Sequence, residues 1–369
     1  MELSYWEIKS WITNVDFTII GSGIVGLNCA LQLKKNHPEA TVLIIEQGLL
    51  PQGASTKNAG FACFGSISEL LEDLNNHTED EVFQLVEKRI KGLEQLRNLL
   101  GDNTINYKQY GGYELFNDDE LYTDCYDRLE EVNQFLNPIF NDAVFSFKAN
   151  TFGFNNIKDQ YAFNKYEGQI DTGKMMAALI NKVQKAGVKI LNNTKLTEYS
   201  ENTSSVTLRT NHFEFKSKTV FIATNGFAQQ MLNEDVKPAR AQVLITKPIK
   251  DLHIKGTFHL DRGYYYFRNI DDRVLFGGGR NLDFETETTT KFGLTSRVQD
   301  ELEAILKHTI LPNKTVEIEH RWSGIMGVGS QKKAIVKALS DHVYCGVRLG
   351  GMGVAIGSTI GTELANLIE

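Results

Sequence analysis

Residues 16–46 read DFTIIGSGIVGLNCALQLKKNHPEATVLIIE. Asp16 to Gly21 is a short apolar run, rich in β-branched residues and ending in glycine, as in a buried parallel strand. Ile24 to Lys35 carries Ile24, Leu27 and Leu31 at helical spacing, with basic residues at its end. Thr41 to Glu46 is a second buried strand, so the stretch reads as one βαβ unit. Its turn, Gly21-Ser22-Gly23-Ile24-Val25-Gly26, is GxGxxG, and Glu46 follows Gly26 by 20 residues. Gly21 allows the tight turn, Gly23 lets backbone approach a pyrophosphate, and Gly26 lets helix and sheet pack closely. The helix N-terminus offers free N–H groups and partial positive charge to phosphates, and Glu46 can accept hydrogen bonds from a ribose. FAD and NAD share this motif, so the turn alone does not choose between them.

Outward from that unit, 369 residues suit two domains or three. The net charge of −7 and pI near 5.7 give no attraction for a nucleic-acid backbone or an anionic membrane surface. No apolar run is long enough to span a bilayer. The four cysteines (Cys29, Cys63, Cys125 and Cys345) form no CxxC and have no nearby histidine at ligand spacing. Reduced thiols are expected, with no disulfide framework and no metal site. Residues 1–14 lack a basic start and an apolar core, so a cytoplasmic protein is expected.

Further along, Gln47 to Ser66 is a Gly-, Ser- and Asn-rich loop, and Glu79 to Leu100 is strongly helical, a core helix or a dimer face. Tyr110 to Phe116 reads as a strand, Asp118 to Leu136 as one helix, and Gly173 to Ala186 as another. Val188–Leu191, Ser205–Thr210, His212–Phe215 and Thr219–Ala223 read as successive strands, followed by alternating strands between Ala241 and Gly278. Thr295 to His308 is helical, Val316 to Trp322 extended, Val343 to Val347 the last strand, and Ser358 to Ile368 the last helix. The pattern is α/β at both ends with a β-rich middle. It predicts a Rossmann-like domain, a central parallel sheet with helices, plus an inserted α+β substrate domain whose sheet is mainly antiparallel. The first would hold residues 1–80, 165–235 and 336–369, and the second residues 81–164 and 236–335.

Two other stretches favour a long cofactor. Phe221 to Gly226 (FIATNG) is an apolar strand ending in small polar residues, and Gly350-Gly351-Met352-Gly353-Val354 is a second glycine turn between strand and helix. GSGIVGLNCALQL, IIEQG, GASTKNAGF, EGQIDTGKM, FIATNGFA, YYYFR, VLFGGGR, HRWSGIMG and GVRLGGMGVAIG occur in this order. This succession resembles the FAD-dependent D-amino-acid oxidase superfamily, which includes glycine oxidase and sarcosine oxidase, over nearly the whole chain.

The resemblance implies FAD as cofactor. Gly21, Gly23, Ile24 and Val25 would meet the pyrophosphate, with Gly26 behind them, and Glu46 and Gln47 the ribose. Ser55, Thr56, Lys57, Asn58, Ala59, Gly60 and Phe61 would line the flavin, and Leu196 would touch the adenine. Ala223, Thr224, Asn225 and Gly226 would cover the cofactor, and Gly350 to Val354, including Met352 and Gly353, the pyrimidine edge. It also implies a small amine or amino acid as substrate. Hydride would pass to flavin N5, the imine would hydrolyse, and oxygen or another acceptor would reoxidise the flavin.

Tyr264 matches the family's active-site tyrosine, and Tyr266 shares its strand face; a half-buried aromatic strand is the structural alternative. Arg268 and Arg348 are the basic candidates for catalysis. The family's carboxylate-binding arginine is absent, because Met326 stands there in Trp322-Ser323-Gly324-Ile325-Met326. Arg321 falls on the opposite strand face. The strand Val274 to Gly277 lacks the lysine that sarcosine-oxidase-type enzymes place near the flavin. Cys63 and Cys345 are the candidates for a covalent flavin link. The alternatives are an NAD-dependent dehydrogenase and an FAD-binding protein without amine oxidase activity.

Overall fold

A computed structural model describes residues 2–368. Met1 and Glu369, the outer ends of the expected first domain, lie outside the described residues.

The βαβ unit forms as expected, with strand Val15–Ile20, helix Ile24–Asn36 and strand Val42–Ile45. It sits in the middle of an eight-stranded sheet. Strand Val15–Ile20 pairs in parallel with Val42–Ile45 on one side and Glu214–Ile222 on the other. Val343–Val347 and Lys189–Leu191 extend the sheet outward in parallel. Helices Ile24–Asn36, Thr172–Lys185 and Gly353–Ala365 bury one apolar face against this sheet, around Ile19, Ile44 and Phe221.

The second eight-stranded sheet is built from Phe145–Ala149, Gln160–Asn164, Gly112–Leu115, Thr257–Leu260, Tyr265–Ile270, Arg273–Gly278, Lys237–Thr246 and Ile318–Val328, in that spatial order. All its pairs are antiparallel except that of Gly112–Leu115 with Thr257–Leu260. The helix Glu79–Leu100 runs between the two units. Val82 and Val86 enter the apolar cluster of the second unit, while Leu96 enters that of the first. Gly92 lets it approach Gly353–Ala365, since a Cβ there would meet the Ala355 carbonyl oxygen at 2.0 Å. Core packing between the units thus accounts for this helix.

Three differences from the sequence reading have clear causes. Asp118 to Leu136 is two helices, Asp119–Asp127 and Leu129–Phe140, joined at Arg128. The break lets Leu121 and Cys125 on one, and Val132 and Leu136 on the other, reach one cluster. The two strands expected over 212–223 are one strand, Glu214–Ile222. It alternates buried and exposed residues where it pairs with the hairpin strand Val206–Thr210, then becomes wholly buried at Val220–Ile222, between parallel neighbours. The last helix starts at Gly353, earlier than Ser358, because its glycines serve packing. A Cβ on Gly357 would meet Ile24 at 2.4 Å, and one on Gly361 the Val25 carbonyl oxygen at 2.6 Å. The helix Ile67–Asn76, with a capping box of Ser66 and Glu69, was not anticipated. Among the described residues, no helix is long and apolar enough to cross a membrane.

Candidate active site

One cavity of about 1130 Å³ runs between the two sheets. Its first end is made by backbone. Strand Val15–Ile20 stops at Gly21, whose φ of 102° and near contact with the Ala223 carbonyl oxygen (2.9 Å from a built Cβ) admit only glycine. A Cβ on Gly26 would lie 2.0 Å from the Gly21 carbonyl oxygen. Glu46 is buried, and its Oε2 accepts from the Ser22 amide (3.1 Å) and hydroxyl (2.8 Å), while Oε1 accepts from the Gly48 amide (3.0 Å). The Ile24 amide donates to Ser55 Oγ at 2.9 Å, which ties the loop after the second strand to the helix N-terminus.

The middle is closed by crossovers. Asn225 Oδ1 accepts from the Leu349 amide at 3.1 Å, and the Gly350 amide donates to the Gly327 carbonyl at 2.9 Å. These bonds join the ends of three distant strands. Gly53, Gly350 and Gly351 have no atom within 4 Å of a built Cβ, so open space lies beside them. Thr224 Oγ1 is buried in the cavity wall without a hydrogen-bond partner. Glycine-lined space, a helix N-terminus, a buried carboxylate at the end of the second strand and an orphaned hydroxyl fit a dinucleotide.

The far end is made by side chains of the second sheet. Tyr264, Tyr266, His259 and Met326 line it, facing Lys57 to Phe61. Phe61 packs edge-on against both Tyr266 (5.7 Å) and His259 (5.3 Å). Burial pushes the Tyr266 hydroxyl up to about 12, so it stays a hydrogen-bond donor. His259 Nε2 lies 3.0 Å from Glu167 Oε2, which also accepts from Thr257 Oγ1 at 2.9 Å. Burial alone would lower the imidazole's pKa. The Glu167 charge and hydrogen bond, aided by Glu69 and Glu114, carry it up to about 9 instead. Sequence reasoning assigned no role to any histidine. The one local signal is strand register, which places His259 opposite Tyr266.

Most expected residues line the cavity. They are Gly21, Gly23, Ile24, Val25, Glu46, Gln47, Ser55, Lys57 to Phe61, Leu196, Ala223 to Asn225, Gly350 to Val354, Tyr264, Tyr266 and Arg348. Gly26, Thr56, Gly226 and Arg268 stand behind the wall. Thr56 Oγ1 donates to the Pro51 carbonyl at 2.7 Å, and Gly226 makes room for the Met326 carbonyl oxygen, 2.2 Å from a built Cβ. Arg268 is 2% exposed and donates to the carbonyls of Ala59, Ile170 (3.0 Å) and Asn269 (3.2 Å). It holds the 57–61 loop from the rear. Arg348 lines the cavity, but its guanidinium donates to the Lys333 carbonyl (2.9 Å) and to Asp235 Oδ2 (2.8 Å). Arg321 is turned toward Gln299 and Glu303, on the other side of its strand from Met326. All four cysteines are free and buried, and burial raises each thiol pKa.

This fold and cleft define a dinucleotide-binding protein. The FAD dependent oxidoreductase (DAO) family model matches residues 16–367, and the chain belongs to that family. The family binds FAD, which decides between the two dinucleotides. The chain is 20% identical over 392 residues to the probable oxidoreductase OrdL of Haemophilus influenzae, covering 97% of this chain and 83% of that protein. Among solved structures, glycine oxidase from Geobacillus kaustophilus superposes with a TM-score of 0.77 at 19% identity, covering 96% of this chain and 94% of that one. L-proline dehydrogenase from P. horikoshii gives 0.76 at 19% identity, covering 96% and 93%. Iminodiacetate oxidase (IdaA) from Chelativorans sp. BNC1 gives 0.76 at 19% identity, covering 95% of each chain. These likenesses show the fold.

Proposed function

We propose that this oxidoreductase oxidises a small amine or amino acid at the carbon beside nitrogen, giving an imine that hydrolyses. Bound FAD supplies the hydride acceptor for that step. Residues 1–80, 165–235 and 336–369 form the FAD-binding domain in this reading, and residues 81–164 and 236–335 the substrate domain. The observation that carries it is the continuity of the cavity, from Gly21 and Glu46 at one end to Tyr264, Tyr266 and Met326 at the other.

Lys57 to Phe61 and the strand residues opposite them bound the reacting space. Phe61, Met326 and the tyrosine rings exclude water from it, and the Tyr266 hydroxyl is a protonated donor toward it. The substrate amine, arriving neutral, needs no dedicated base. Oxygen or another acceptor completes the cycle. The four free thiols suit the reducing cytoplasm.

The test is an anaerobic titration of the purified yellow protein with secondary amines, polyamines and amino acids. Bleaching of the visible flavin band by members of one class is expected. A bound flavin that keeps its colour with all three classes overturns the reaction.

A further inference from the structure

The proposed reaction leaves open what the substrate carries besides its amine. Met326 cannot grip an anion. Four arginines line the cavity: Arg89, Arg262, Arg280 and Arg348. Arg348 is engaged by Asp235 and Lys333, as above. Arg89 donates to the Phe64 carbonyl at 2.7 Å, and Arg262 lies 3.9 Å from Asp261. Arg280 has neither a side-chain hydrogen bond nor an ion pair with any described residue. Its guanidinium rests only over the Phe284 ring, 4.8 Å from the centroid.

The sheet explains why this arginine stands here. Gly278 pairs with Gln242 and Tyr265, and Met326 pairs with Ala239 on the far side of the same strand. Gly278 and Gly279 have φ of 130° and 76°, and they turn the chain out of the strand just before Arg280. Neither turn tolerates a side chain easily, since a Cβ on Gly278 would meet the Tyr264 carbonyl oxygen at 2.1 Å. The Gly279 amide donates to that same carbonyl at 3.0 Å, which fixes the turn to the first candidate tyrosine. The turn delivers Arg280 to the wall of the same cavity that Met326 lines. A half-buried guanidinium without an acceptor is costly, and a carboxylate would offset that cost with two parallel hydrogen bonds.

We propose that Arg280 binds the carboxylate of the substrate, from the wall of the cavity that Met326 also lines. The substrate class is then amino acids and their N-substituted relatives, rather than simple amines or polyamines. This inference rests on the reaction proposed above.

The test uses the FAD-loaded enzyme with pyrrole-2-carboxylate, a carboxylate that resists this oxidation, and pyrrole as its neutral counterpart. Binding is read twice, from the visible flavin spectrum and from the ligand-dependent rise in Tm. The wild type should bind the carboxylate and not pyrrole. Arg280→Gln should weaken carboxylate binding by about 30- to 100-fold, the loss of a charge-assisted pair. Arg280→Lys should recover part of it, because the charge remains and the fork is lost. Adding Met326→Arg to Arg280→Gln should restore part of the binding from another position on the same cavity wall. The Arg280 side chain has no hydrogen bond to a described residue to lose, so its variants should fold. Wild-type affinity in Arg280→Gln, or equal binding of pyrrole and its carboxylate by the wild type, overturns the proposal. Failure of every amine to bleach the flavin overturns the reaction instead, and the Tm shift still reads the Arg280 contact.

Discussion

The two ends of the cavity are held by different kinds of atoms. At the parallel sheet the wall is main chain, kept open by glycines at Gly21, Gly23, Gly350 and Gly351. At the antiparallel sheet it is side chains aligned by strand register, as with His259 opposite Tyr266. A backbone wall recognises what many ligands share, phosphates and ribose. A side-chain wall recognises what one substrate class has. The first tolerates little substitution, while the second can change identity without changing the fold.

The sharpest way to break this contrast is Gly26→Ala. Its methyl would sit 2.0 Å from the Gly21 carbonyl oxygen and 3.1 Å from Ile19, so strand, turn and helix cannot all keep their places. A loss of about 3 kcal/mol is expected, with little flavin retained, as measured by chemical denaturation and visible absorbance.

A second test addresses the side-chain end. The folded pKa of His259, about 9, lies above its ordinary 6.5. Its contribution to stability is therefore complete below about pH 6.5 and is lost as pH rises toward 9. Stability should fall over that window by on the order of 3 kcal/mol. Glu167→Gln should flatten the slope. An unchanged pH profile in that variant would show that Glu167 does not hold the charge.

The smallest expected effect sharpens the comparison from the other side. Gly351 has open space around a built Cβ and φ outside the left-handed region. Gly351→Ala should leave the stability of the flavin-free protein within about 0.5 kcal/mol and weaken FAD binding. Equal FAD affinity in variant and wild type would mean that this glycine does not border the cofactor.

Much of the first end was legible in the sequence because its rules are local. Gly21, Gly23 and Gly26 sit at fixed offsets between strand and helix, and Glu46 ends the next strand, so spacing alone exposed them. The glycines of the last helix misled for a related reason. Gly357 lies before the helix start expected at Ser358, yet it provides contact room for Ile24 that only the packed neighbour reveals. Arg268 looked like a catalytic cation in YYYFR. Its real acceptors, the carbonyls of Ala59 and Ile170, lie far away in sequence and carry no side-chain signal.

By itself, the sequence determined the dinucleotide turn and the alternation of strands and helices. These follow from chain periodicity and from conformations that only glycine adopts cheaply. Tertiary structure alone decided which charged groups are spent and which are free. It joined Glu167 to His259 across 92 residues, occupied Arg268 and Arg348 with hydrogen-bond acceptors, and left the Arg280 guanidinium without a hydrogen bond or ion pair among the described residues. The physical reason is that a side chain's hydrogen-bonding state depends on which strands become neighbours, and strand register is a property of the folded sheet.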